Sequence, residues 1–535
     1  MNRLPGRGPP DVTVPNGSVV RLDRRVRRVR RPGGGSALVG GSPGRFARLQ
    51  PGAAALLVTG TLTVTDRTSA RLARYLLDAG LAHPAGAPPS AVPSADQVTV
   101  VIPVRDRPEQ LDRLLVALST DPGAGLGIVP GTGSAVIVVD DGSADAEAAR
   151  EVADRHRATL LRHPCALGPA AARNTGLAAV RTPLVAFLDS DVQPERGWLG
   201  RLLAELADPA VGLVAPRIVP LATHAPDLPH RPDLPHRPDR PDRPGWIGRY
   251  EAVASSLDLG PDPARVLPRS RVAYLPSAAM LARVGALRGL AGPGFDPHLP
   301  IGEDVDLVWR LHDAGWRVRY QPAARVGHDH RTQPWAWLAR KARYGTSAAP
   351  LAARHPGRVP PLVASDWTAA VWALLLLQRR WSVAAAGAVA VAGTVRLARR
   401  LHPAGPGPVG AGAPCAQGRW GARGGWELRL AAGTLAPAAL AGTGLQLSAA
   451  LLRHWWPVAL LAATRSRRAR RALLAALVVQ AAADCKWLDS GLDPVRFQVA
   501  RRLDDLAYGA GVWWGACRSG SLDPLLPRLD RGRPR

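Results

Sequence analysis

From residue 96 onward, unbroken runs of valine, isoleucine and leucine alternate with segments whose apolar residues recur every three or four positions. That alternation predicts a strand over 98–104, a helix over 109–118, a strand over 135–139 and a helix over 145–156, then two further rounds with 184–188 as the clearest strand. Nearly continuous apolar strands between amphipathic helices mean an α/β domain whose mostly parallel sheet is covered on both faces, with ligands at the carboxyl ends of its strands. The pattern differs on either side. Residues 1–95 read as a small α+β segment, with a helix over 49–57, a strand over 60–65, and a helix capped by Asp66 that runs to 77 before Gly80 ends it. Beyond 360 the chain becomes Ala- and Leu-rich, with apolar segments at 362–377, 383–395, 431–452, 456–463 and 473–483 broken by arginines. Most of these are shorter than the ~20 apolar residues a spanning helix needs. Interfacial or packed helices are therefore expected, with a soluble bundle around core tryptophans as the alternative.

A length of 535 residues with 46% apolar content agrees with three segments, 1–95, 96–360 and 361–535. The middle one is interrupted at 225–245 by a repeat of Pro, His, Arg and Asp that has no apolar face, so its His230 and His236 are expected in a solvated loop rather than a metal site. The net charge of +27 is almost entirely arginine, Lys341 and Lys486 being the two lysines. Together with the excess of Ala, Gly and Pro, that bias reads as codon usage, so no nucleic-acid partner is inferred. A basic surface still attracts nucleotide diphosphates and anionic membrane lipids. Trp367, Trp372, Trp381, Trp455 and Trp456 stand beside arginine clusters, a combination suited to a membrane interface. The four cysteines are far apart and form no Cys-x-x-Cys pair, and the first residues carry no apolar core. A cytoplasmic protein without an export signal is the expectation, either free or at the cytoplasmic face of a membrane.

The acidic residues gather where an α/β sheet binds its ligands. One strand ends in Asp140-Asp141-Gly142-Ser143, placing two carboxylates and a turn at its carboxyl edge; the same tetrapeptide is also an ordinary turn. Another ends in Asp189-Ser190-Asp191. Alternation along the strand points both carboxylates the same way, which suits a hard divalent cation such as Mg²⁺ or Mn²⁺ bridging to diphosphate oxygens; the rival is a cap for a helix starting near Glu195. Third, Glu303-Asp304-Val305-Asp306 opens an amphipathic helix, where the dipole favours ionised carboxylates and an Asp could take a proton from an attacking hydroxyl; dipole complementation alone would also account for these acids.

The order of these motifs, with Ala171-Ala172-Arg173-Asn174-Thr175-Gly176 between the first two and Gly294-Phe295-Asp296 before the third, resembles family 2 inverting glycosyltransferases of the GT-A fold over about 98–345. The resemblance implies a nucleotide-sugar donor contacted by Pro103, Arg105, Asp140, Asp141, Arg173, Asn174 and Asp189. It implies a metal held by Asp191 with Asp189, completed by His328 or His330, and a catalytic pair Glu303 and Asp304 with Asp304 as general base. Gln378-Arg379-Arg380-Trp381 falls out of register with the Gln-x-x-Arg-Trp element of processive members and is read as an interfacial cluster.

Residues 1–95 resemble, in their order of elements, the winged-helix peptide-recognition modules attached to peptide-modifying enzymes; a packing appendage is the plain alternative. Val20 to Arg27, Gly40-Gly41-Ser42-Pro43, Leu77-Asp78-Ala79-Gly80, Arg271 to Ala279 and Tyr344 to Pro350 are similar to the branch that serves mycofactocin biosynthesis. That branch implies a peptide-derived redox-cofactor precursor as acceptor, UDP-glucose as donor and β-linked glucose as product. Two other readings stay open, a membrane-bound transferase for polyprenyl phosphate or envelope glycan, and a non-catalytic nucleotide and peptide carrier.

Overall fold

Seven consecutive residues with no exposed side chain, Val98–Val104, leave a strand in the centre of a sheet as the arrangement that pairs their backbone groups while burying both faces. The computed structural model describes residues 13–30, 35–42, 44–121, 136–221, 245–329, 333–401, 425–484 and 491–530. It divides into two units, Met1–Trp337 with Ser490–Leu492, and Leu338–Asp489 with Asp493–Arg535. His230, His236 and His330 lie outside the described residues.

The first unit begins with β1 (Val19–Leu22), β2 (Arg27–Arg30), β3 (Ser36–Gly40), β4 (Arg45–Leu49), α1 (Pro51–Ala55), β5 (Thr61–Thr63), α2 (Arg67–Asp78) and β6 (Ala82–Gly86). Strands β5, β1 and β6 form one antiparallel sheet, and β2, β3 and β4 another. Asp66 accepts from the backbone of Ser69 while the Ser69 hydroxyl accepts from that of Asp66, a reciprocal cap that fixes the start of α2. Two bidentate ion pairs bind this segment to the rest of its unit, Arg74 to Asp208 at 2.7 Å and Arg317 to Asp78 at 2.8 and 3.1 Å.

The chain continues through β7 (Val98–Val104), α3 (Pro108–Ser119), β8 (Val136–Asp140), α4 (Ala146–Arg155), β9 (Thr159–Arg162), α5 (Pro169–Ala179), β10 (Leu184–Leu188), β11 (Val192–Pro194), α6 (Trp198–Glu205) and β12 (Val211–Pro220). It ends with α7 (Trp246–Ala254), β13 (Ala264–Arg265), β14 (Ala279–Arg283), α8 (Val284–Arg288), α9 (Glu303–Asp313) and β15 (Arg317–His328). The sheet order is β11-β15-β12-β14-β10-β7-β8-β9, with β13 on β15. Strands β10, β7, β8 and β9 run parallel, whereas β14 is antiparallel to both β10 and β12. The sheet is thus mixed rather than mostly parallel, because the return through β14 enters it in the opposite direction. The parallel half carries the first two acidic motifs at one edge, since Val104 pairs with Asp140 and Phe187 pairs with Val101. In α3 the residues Leu111, Leu114, Leu115 and Leu118 are buried at helical spacing, each contributing roughly 1.5–3 kcal/mol. Gly176 lets α5 approach β7 closely, for a Cβ there would lie 2.3 Å from a Val101 methyl.

Helix α10 (Pro334–Thr346) leads into the second unit, which holds α11 (Ala348–Arg354), β16 (Val363–Ser365), α12 (Asp366–Leu376), α13 (Arg380–Leu401), α14 (Gly425–Arg453), α15 (Trp456–Arg465), α16 (Arg467–Asp484), α17 (Pro494–Ser519) and β17 (Arg528–Asp530). The apolar segments at 383–395 and 431–452 belong to longer helices, of 22 and 29 residues, because the arginines and leucines that flank each apolar stretch are good helix formers and continue the helix. Among the described residues two stretches, Arg380–Arg399 and Leu435–Arg453, are long and apolar enough to cross a bilayer.

Candidate active site

The first acidic motif builds a turn. Asp140 is fully buried and accepts from both the amide and the hydroxyl of Ser143, while Arg162 pairs with its other oxygen. The Ser143 hydroxyl accepts in turn from the Asp106 amide, and an Asp106 carboxylate oxygen accepts from the Ala144 amide. Those two bonds hold Asp106 in the left-handed region, at φ 53°, a conformation that a non-glycine residue adopts only when its surroundings impose it. Asp141 accepts at one oxygen from His163 Nδ1 and the Leu167 amide and at the other from the Gly168 amide, each at 2.8 Å. Burial opposes its ionisation, but the His163 ring and the two amides outweigh this and hold its carboxyl below the usual range. His163 also reaches the Thr175 hydroxyl at 2.9 Å, joining this turn to α5.

The second motif departs from the expected geometry. Strand β10 stops at Leu188, so strand alternation does not extend to Asp189 and Asp191, and the two carboxylates take different partners. Asp189 pairs with Arg173 at 2.6 Å. Asp191 pairs with Arg107 and lies 3.6 Å from His328 Nε2. Neither caps a helix, since the next helix, α6, starts after Gly197. His328 arrives because β15 runs antiparallel to β11 and sets His328 opposite Val192, the residue after Asp191.

Arg173 joins the second motif to the third. Its side chain is 3% exposed, and it bonds to Asp189 and, at 3.1 Å, to Glu303 at the start of α9. Burial opposes its charge, and Asp189 with Glu303 more than restores it. Asp304 accepts from the Ser277 amide at 3.1 Å. Its carboxyl is pushed up to about 7, first by burial and then by repulsion from Glu303. A carboxylate of that basicity can accept a proton from an alcohol near neutral pH.

Hydrogen bonds and ion pairs, with short steps along the chain from Asp106 to Arg107 and from Asp191 to Asp189, therefore connect all three motifs, from Asp140 through Ser143 and Asp106, and Arg107 to Asp191, then from Asp189 through Arg173 to Glu303 beside Asp304. Of the remaining expected donor contacts, Pro103 lies in β7 opposite Val139, and Arg105 is on the surface beside Asp106. Asn174 is committed to the backbone, its amide meeting both the carbonyl and the amide of Phe295 at 2.6 and 2.9 Å. Arg310, bonded to Asp306, holds the carbonyls of Pro293 and Gly294 in the same loop. The sequence reading passed over Arg107, His163 and Ser277. Arg107 was the one open to detection, as a basic residue just past a strand end that faces an acidic motif.

Among the described residues no group of three His, Cys, Asp or Glu side chains is arranged to hold a metal ion. Asp191 and His328 do bring a carboxylate oxygen and an imidazole nitrogen to one place. Two such donors suit Mg²⁺ or Mn²⁺ when diphosphate oxygens and water supply the remaining positions.

The family model described as glycosyl transferase family 2 matches residues 99–242. The chain is 45% identical over 524 residues to the pre-mycofactocin glycosyltransferase of Mycobacterium tuberculosis, covering 96% of this chain and 98% of that protein. It is 30% identical over 226 residues to an uncharacterized glycosyltransferase of Mycobacterium bovis, 42% of this chain and 83% of that one. Among solved structures, a mannosyltransferase from Pyrobaculum calidifontis in complex with GDP-Man and Mn²⁺ matches at a TM-score of 0.34 and 18% identity, covering 74% of this chain and 87% of that one.

Proposed function

The chain belongs to the family 2 glycosyltransferases, in the branch of the pre-mycofactocin glycosyltransferase, and from this premise we propose that it moves glucose from UDP-glucose onto a hydroxyl of a peptide-derived redox-cofactor precursor. The observation that carries the proposal is Arg173, one buried guanidinium tying the motif at the donor edge of the sheet to the helix that presents Asp304. The donor and acceptor assignments rest on likeness to that branch.

In this reading Asp191 and His328 hold Mg²⁺ or Mn²⁺, which when bound neutralises the diphosphate leaving group. Asp141, set by His163 and two amides, frames the nucleotide together with Pro103, Arg105 and Asp189. Asp140 and Asn174 act beneath that contact layer, shaping the turn and pinning the loop at Phe295. Asp304 accepts the proton of the acceptor hydroxyl as its oxygen attacks the anomeric carbon from the side opposite the nucleotide, so one displacement inverts the configuration. Glu303 keeps Asp304 basic and balances the charge of Arg173. The segment before β7 is assigned to hold the peptide part of the acceptor, and the apolar, arginine-flanked second unit to rest on the cytoplasmic face of a membrane.

The test is mass spectrometry of a short peptide-derived acceptor incubated with the enzyme, Mn²⁺ and a panel of nucleotide sugars. The reading expects hexose added from UDP-glucose to the peptide-derived acceptor; in a parallel incubation with a polyprenyl phosphate, transfer confined to the lipid would replace it with the lipid-acceptor alternative. Co-flotation of the enzyme with anionic vesicles but not with neutral ones is expected in parallel, and equal recovery in the soluble fraction with both would remove the membrane assignment.

A further inference from the structure

Arg107 touches the proposed metal ligand, yet none of the roles above uses it. Its position is built rather than incidental. Asp140 fixes Ser143, Ser143 and Ala144 fix Asp106 in its left-handed conformation, and Asp106 then delivers the next residue onto Asp191 at the start of α3. Arg107 is 30% exposed and Asp191 14%, so the pair is partly open to solvent. Just past the end of β15, Asp329 pairs with Arg113 of α3.

A guanidinium paired with a carboxylate neutralises it, so a second cation there meets a weaker attraction and the repulsion of the guanidinium. We propose that Arg107 is the built-in counter-ion of Asp191, held there until the nucleotide arrives, so that metal and nucleotide enter together rather than metal first. Nucleotide phosphates supply the negative charge that allows a divalent cation and a guanidinium to share one small site. Free enzyme then binds metal poorly, and metal affinity rises when the nucleoside diphosphate is present.

The inference rests on the assignment of Asp191 as metal ligand, and the experiment separates the two. Mn²⁺ binding is measured by the electron paramagnetic resonance signal of unbound Mn²⁺, with and without UDP, for wild type, Arg107→Ala, Arg107→Gln and Asp191→Asn. Thermal melts confirm that each variant is folded, and the Gln variant serves if Ala does not fold. The expected result is weak binding to wild type alone and tighter binding with UDP. Both Arg107 variants should bind Mn²⁺ alone about tenfold more tightly than wild type, with a smaller gain from UDP. If Arg107 variants and wild type bind Mn²⁺ alone equally while Asp191→Asn abolishes binding, the counter-ion role is wrong and the metal ligand stands. If Asp191→Asn binds Mn²⁺ as wild type does, with UDP present, the metal assignment falls and this inference with it.

Discussion

Replacing Asp304 with Asn is expected to lower kcat about a thousandfold, within the 10²–10⁴ range that a positioned general base contributes, while UDP binding changes less than about threefold. The substitution keeps the shape and removes the proton acceptor. The pH dependence gives a second reading of the same residue. With the Asp304 carboxyl pushed up to about 7, the ionised form needed for catalysis is present above that value. Wild-type kcat should fall tenfold for each pH unit below about 7, and that limb should vanish from the residual activity of the Asn variant. Stability runs the other way. An acid whose folded pKa exceeds its unfolded value of about 3.9 destabilises the fold where it is ionised, so this group makes the protein less stable as pH rises from 4 to 7. The Asn variant should therefore be at least as stable as wild type at pH 8. Turnover within a few-fold of wild type would remove Asp304 from the mechanism.

The largest effect on stability is expected at Arg173. Its change to Ala leaves Asp189 and Glu303 without the guanidinium between them and opens a void under Phe295, whose ring lies 5.3 Å from that guanidinium. Removing one partner from a buried ion pair costs about 3–5 kcal/mol. Urea denaturation followed by tryptophan fluorescence should show that loss, and transfer should fall with it because α9 loses its tie to the donor edge. Arg173→Lys keeps the charge but cannot span two carboxylates, so an intermediate loss is expected. A loss below about 1 kcal/mol in the Ala variant would mean that the two carboxylates are held apart by other contacts.

The strands of the parallel half were legible because a segment buried on both faces is nearly all apolar: 184–188 has no interruption, and in 98–104 the one polar side chain, Thr99, is paired with the Thr182 hydroxyl. Helix starts at Asp66 and Asp145 were legible because capping is a local interaction. Strand order was not. The pairing of β15 with β11 links residues far apart in sequence, and that pairing brings His328 to Asp191. Nothing in Val-Gly-His-Asp distinguishes a histidine that meets a carboxylate from one that faces water. The common direction expected for Asp189 and Asp191 failed for a related reason, since it assumed the strand continued past Leu188. The role of Arg173 as a bridge was equally hidden, because its two partners, Asp189 and Glu303, meet only through the fold. In the second unit, apolar length understated helix length, since the flanking arginines extend a helix without lengthening its apolar stretch.

The most direct test is a crystal structure of the full chain with UDP and Mn²⁺, read by the anomalous signal of manganese. The expected map puts the peak within coordinating distance of Asp191 and His328, with the diphosphate bound there and Asp304 facing the same cleft. A manganese peak elsewhere, with Arg107 still on Asp191 and UDP bound away from the carboxyl edge of β7 and β10, would contradict the convergence of the three acidic motifs on one donor site.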